Sequence, residues 1–303
     1  MSAASKGAVS VAVGAASALT LLHTSSPSLS RSPAPSCRRV SHCEASSRPS
    51  DAPPVINLPQ STTKREEVLG VEFPVQLPVL TGPWAMPHLH QYISSAPRCM
   101  QNACWFPPAR AYSLGLYLDQ GLLNSYMDTG QTEPGLLFDD SVDKTFRFVF
   151  VSEKDPRHIR DGFARALRNA LPLEETYDYV YDAGLREVND FISHIRPFRM
   201  KSGSVLIVTC IAFPKPGRTV ILYSDQPDVP PHFVGQVEGV GLRLAFHHLY
   251  VQRDKRGQAK YPAITGKFEK DLKDMLEANK AGHQQEGDQS TADKGREGGK
   301  EGK

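Results

Sequence analysis

Two stretches of strict alternation constrain this chain most. In RAYSLGLYLD, residues 110–119, extended backbone sets Tyr112, Leu114, Leu116 and Leu118 on one side and Ala111, Ser113, Gly115 and Tyr117 on the other. In KTFRFVFVS, residues 144–152, the same period lines up Phe146, Phe148 and Phe150. Each reads as a strand with a strongly apolar face that a second layer must cover. The small residues on the other face of the first strand leave room for something to pack closely against it.

The covering layer is written in helical periods. Asp155-Pro156 supplies an N-cap and a first-turn proline, and Ile159, Phe163, Leu167 and Leu171 then form a single stripe. A second helix is expected over 173–195, with Tyr177, Val180, Leu185, Val188, Ile192 and Ile195 near helical spacing despite Gly184. Strands follow at 203–212 and 218–223, joined by a Pro-Gly turn segment at 214–217. Amphipathic helices at 238–251 and 263–278 close the core, the latter turning Phe268, Leu272, Met275 and Leu276 inward. Residues 69–77 read as extended, with Pro74 confining them to an edge or a strand end. Hairpin-ordered strands with paired helices predict an α+β domain whose helices pack on one face of the sheet.

That domain spans residues 69–278, between two segments of different composition. No Asp or Glu precedes Glu44, Ser and Ala dominate, and Lys6, Arg31, Arg38 and Arg39 supply positive charge, which is the composition of an organelle-targeting segment over 1–50. Within it, residues 7–22 (GAVSVAVGAASALTLL) are apolar but shorter than the ~20 residues of a spanning helix. A signal-peptide core, part of a presequence and a weak membrane association through residues 7–22 all stay open. Residues 51–68, with Pro53, Pro54 and Pro59, read as a linker, and the charged 279–303 as a disordered tail.

A net charge of +2 over 303 residues gives no sign of nucleic-acid binding. The five cysteines (Cys37, Cys43, Cys99, Cys104, Cys210) form no CxxC pair and are odd in number, so reduced thiols are expected and neither a disulfide framework nor a zinc site.

Four segments, in order and spacing, resemble the chalcone isomerase-like family: GVEFP at 70–74, the Arg98 region leading into AYSLGLYLD, FISHIRPFRMKSGSVLIVTC at 191–210, and GQVEGVGLRLAFHHLYV at 235–251. The resemblance implies an open-faced β-sandwich, a large antiparallel sheet with helices on one side. It also implies that Arg98, in APRCMQ, binds the anionic end of a ligand, with residues 104–109 an irregular, proline-containing insert before the next strand. Tyr112 stands where the true isomerases carry a catalytic threonine. An ungapped placement puts His158 and Arg165 where they carry a tyrosine and an asparagine. The pattern is similar to the fatty-acid-binding and mitochondrial branches, so the expected function is a non-catalytic or divergent protein binding a fatty acid or similar apolar anion. The alternative is a cofactor-free isomerase, an intramolecular lyase, on another substrate; neither calls for a cofactor. Mitochondrial relatives sharing the tyrosine tilt the expected organelle toward the mitochondrion over the plastid.

Arg98 and Tyr112 are the candidate ligand-binding residues, because a planar guanidinium fork matches a carboxylate or phenolate and a phenol adds a third donor. Other polar groupings have simpler readings. His247-His248 and His88/His90 lack acidic partners at ligand spacing. Asp139-Asp140 follow a Pro-Gly turn segment and read as turn residues, and Gly239-Val240-Gly241 lies inside the expected helix with no phosphate-loop Lys-Ser or Lys-Thr after it.

Overall fold

In the computed structural model the described residues are 62–79, 88–100, 103–153, 155–171, 178–254 and 256–297. The chain divides into two units, Met1–Ser50 and Asp51–Lys303. The targeting segment, residues 7–22, Cys37, Cys43 and most of the linker lie outside the described residues.

A short pair, β1 (Thr63–Arg65) and β2 (Glu72–Pro74), precedes seven strands: β3 (Gln76–Val79), β4 (His88–Cys99), β5 (Arg110–Asp119), β6 (Lys144–Phe150), β7 (Val205–Ile211), β8 (Arg218–Ser224) and β9 (His232–Glu238). These seven form one antiparallel sheet in sequence order. Six helices accompany them among the described residues: α1 (Gln120–Asp128), α2 (Gly135–Phe138), α3 (Pro156–Arg168), α4 (Asp178–Ile195), α5 (Gly241–Tyr250) and α6 (Pro262–Glu297).

The main core forms where alternation demanded a cover. Leu114, Leu116 and Leu118 of β5 and Phe146, Phe148 and Phe150 of β6 are fully buried against Phe163, Val188, Phe191, Phe246 and Phe268 from the helices. This is the expected α+β, open-faced arrangement, with helices on one side of a large antiparallel sheet.

The opposite face carries a smaller cluster that includes Phe73, Tyr92, Tyr117, Val205 and Ile207. The space left by small residues on β5 is taken by Phe73: a Cβ at Gly115 would stand 2.5 Å from that ring. The Arg147 guanidinium covers the same ring at 5.3 Å and donates to the Glu72 carbonyl.

Helix starts follow local chemistry. Asp155 accepts from the Arg157 N–H at 2.8 Å and Pro156 opens α3, as the sequence predicts. Helix α5 has no side-chain cap of its own, and the buried Glu187 on α4 fills that role by accepting from the Leu242 N–H at 2.7 Å. Gly184 earns its place here too: α4 and α5 approach so closely that a Cβ on Gly241 would stand 2.5 Å from the Gly184 Cα.

Several expectations need correction. The helix expected from residue 238 starts at Gly241, because 232–238 form the edge strand β9; Gly239, at φ +135°, turns the chain from strand to helix. Arg98 sits near the end of strand β4, an element the sequence reading did not assign. The linker ends earlier than residue 68, since β1 pairs with β2 and the buried Glu66 accepts from the Val68 and Leu69 N–H groups. Helix α6 runs on past Ala278 to Glu297, replacing much of the expected disordered tail. Cys99 and Cys104 form a disulfide, because the turn after β4 folds back to bring their Cα atoms to 5.2 Å, while Cys210 is free and buried.

Candidate functional site

Arg98 and Tyr112 are cross-strand partners in the β4–β5 register, so both side chains leave the sheet on the same face. They meet at one end of the helix layer, in a cleft of about 160 Å³. Strand β6 contributes Phe150, α3 contributes His158, Ile159, Phe163 and Ala166, α5 ends on Tyr250, and Tyr261 stands just before α6.

The cleft has a cationic head and an aromatic wall. The guanidinium of Arg98 lies over the Tyr261 ring at 4.1 Å and donates once, to the Cys99 carbonyl at 2.8 Å. Among the described residues no carboxylate is paired with it. Among the described residues, the rest of its donor fork, beyond that bond and its contact with the Tyr112 hydroxyl, is free to meet a ligand. Tyr112 stacks on Phe163, with centroids 6.0 Å apart and planes 10° apart, and meets Phe148 and Phe150 edge-on.

The hydroxyls of Tyr112 and Tyr250 share a hydrogen bond of 2.8 Å. Burial holds both phenols above the usual tyrosine range, with neighbouring tyrosines adding to the effect. Both therefore stay protonated at neutral pH, so the pair can relay a donated hydrogen bond outward to an anion. Thr265 at the start of α6 donates to the Tyr250 carbonyl, fixing the two helix ends that carry Tyr250 and Tyr261.

Arg98 and Tyr112, singled out from sequence, stand side by side. His158 is exposed and lines the cleft, whereas Arg165, also exposed, does not. Tyr250, Tyr261 and Phe163 escaped the sequence reading; Tyr250 lies 138 residues from its partner Tyr112, and nothing local marks the pairing. The remaining polar groupings serve the fold: His247 Nε2 faces the Leu137 carbonyl, His248 the Ala170 carbonyl, and Asp139 accepts twice from Ser141 within its turn.

The resemblance sets Tyr112, His158 and Arg165 where the isomerases carry a threonine, a tyrosine and an asparagine, so purified protein is expected to cyclise a hydroxychalcone no faster than the spontaneous reaction. Absorbance decay of the chalcone with and without protein checks this, and a clear acceleration would overturn it.

No family profile and no curated protein sequence matches the chain. Among solved structures it is similar to the Arabidopsis thaliana fatty-acid binding protein AtFAP1, with a TM-score of 0.51 and 14% identity over 71% of this chain and 99% of that one. At that identity the likeness is one of fold: the α+β open-faced sandwich of this chain is the chalcone isomerase-like fold.

Proposed function

We propose that the chain binds a small amphiphilic carboxylate, a fatty acid or close analogue, in the Arg98 cleft. The observation that carries this reading is a partly buried guanidinium that pairs with no carboxylate among the described residues and lines an apolar cleft beside a protonated tyrosine pair. A carboxylate there would take a charge-assisted fork from Arg98 and a third bond from Tyr112, while Phe150, Ile159, Phe163 and Ala166 line the path of its chain. The fatty-acid binding named for the Arabidopsis neighbour supports the same ligand class.

Size sharpens the ligand. A cleft of about 160 Å³ falls below the ~300–1,000 Å³ of sites that enclose a drug-sized ligand. It suits a head group and its first methylenes, and a long acyl chain would have to leave through the mouth or part the Tyr112–Phe163 stack.

Calorimetric titration with straight-chain carboxylates of increasing length is therefore expected to show affinity rising about fourfold per methylene, the ~0.8 kcal/mol of a buried CH₂, then levelling off. Arg98→Ala should weaken every member by about 1.5–3 kcal/mol, roughly tenfold or more, and Tyr112→Phe by less. Equal affinity in the original protein and Arg98→Ala, with the fold intact, would remove Arg98 from the site.

A further inference from the structure

Beside the cleft, which Met100 lines, the chain after β4 exposes apolar side chains that the binding reading alone does not use. Trp105 is 81% exposed, and Phe106 (47%) and Met100 (42%) flank it in the same short connection. The two rings touch only loosely, with centroids 5.8 Å apart. Single exposed apolar residues are ordinary, but a neighbouring Trp-Phe pair, both exposed, with an exposed methionine in the same short connection is the kind of surface that marks an interaction site.

The described residues of this connection, Met100 and 103–106, are held in shape without burying the two rings. The Cys99–Cys104 disulfide pins its ends, Arg110 Nε donates to the Cys104 carbonyl, and backbone bonds run from Ala103 to Met100, Phe106 to Ala103 and Ala109 to Phe106. A preformed loop pays little ordering entropy when it docks. Across the cleft, where Met100 and His158 line the same opening, α3 carries four arginines against one aspartate, with Arg157 and Arg165 exposed.

Exposed Trp and Phe beside a basic helix are the two halves of an interfacial membrane anchor: the rings enter the headgroup region and the cations meet anionic lipid. We infer that Met100, Trp105, Phe106 and α3 dock the cleft mouth onto an anionic bilayer surface, which then serves as the source or destination of the amphiphile. This deepens the proposed function, and rests on it for the identity of the cargo but not for the docking.

The test uses the full chain with Trp84→Phe, leaving Trp105 as the one indole of the two in the sequence. Vesicles of phosphatidylcholine mixed with phosphatidylglycerol should shift Trp105 emission to the blue, brominated lipid should quench it, and phosphatidylcholine alone or added salt should weaken both effects. In the chain that keeps Trp84, Trp105→Ser with Phe106→Ser should lower vesicle partitioning at least about tenfold. Arg157→Glu with Arg165→Glu should lower it only for the anionic vesicles. Octanoate titrated into each variant should bind as in the original protein, which separates docking from ligand binding and reports an intact fold. Protein that partitions yet takes no octanoate would leave docking standing and sink the carboxylate reading. Unchanged Trp105 emission, partitioning indifferent to the serine pair, or a serine-sensitive dimer with no response to lipid would each overturn the inference.

Discussion

Phe73→Ala is expected to cost about 3–5 kcal/mol of folding stability, the range for emptying a buried phenylalanine site. Phe73 is fully buried and holds the β1–β2 pair to the sheet face opposite the helices, between Gly115, Tyr92 and the Arg147 guanidinium. Gly115→Val is expected to cost about 1–3 kcal/mol or more from the other side of the contact, because its Cβ would collide with the same ring. The double variant should be less destabilised than the two costs summed, since valine occupies the space the ring vacates. Urea unfolding of the four proteins measures this coupling. Strict additivity would mean that the two residues do not touch.

Acid is expected to weaken the fold through two buried histidines. Burial pushes His90 down to about 4 and His247 down to about 3. His90 contacts the Thr145 hydroxyl, and His247 lies near the charge of Lys144, whose own pKa burial lowers to about 8. Both imidazoles are neutral in the folded and unfolded chain above about pH 6.5, so their contribution is fully present there. As pH falls below that value, the unfolded chain takes up protons that the native sites refuse, and stability is lost until pH reaches the folded values near 4 and 3. From pH 7 to pH 5 this amounts to about 2 kcal/mol per histidine. Asp143 and Glu187, which burial holds above the usual carboxylate range, oppose the trend toward the lower end of the window. Urea midpoints at the two pH values should separate clearly in the original protein and draw together in a His90→Asn, His247→Gln variant. A midpoint that does not move between pH 7 and 5 would contradict the neutral, buried assignment.

What sequence could show depended on how uniform each element's surroundings are. Strands β5 and β6 face one deep apolar layer, so their alternation is clean, and β7, β8 and the capped start of α3 were legible for similar reasons. Strand β4 was not, because a register shift between Tyr92 and Ser94 breaks its period and Ser94, Ser95 and Pro97 interrupt its apolar run. Strand β9 is an edge, half exposed, with Gly235 pressed against the His194 ring, and Gly239 just after it blurred the boundary with α5. The disulfide was hidden because an odd cysteine count excludes only complete pairing: Cys99 and Cys104 pair across a short turn while Cys210 stays free and buried. In the cleft, the Arg98–Tyr112 pairing came through resemblance and fell into register on adjacent strands. Phe163 and Tyr250 come from helices, and Tyr261 from the residue just ahead of α6, and only the tertiary fold brings them together.

A crystal structure of the full chain with a medium-chain carboxylate brominated at its far end tests the central claim most directly. Anomalous scattering from bromine would fix the tail independently of the head. The account predicts carboxylate oxygens at about 2.7–2.9 Å from the Arg98 guanidinium, one of them accepting from the Tyr112 hydroxyl, with bromine beside Ile159 and Ala166. A carboxylate bound elsewhere, or bromine buried at the head with the carboxylate in solvent, would contradict it.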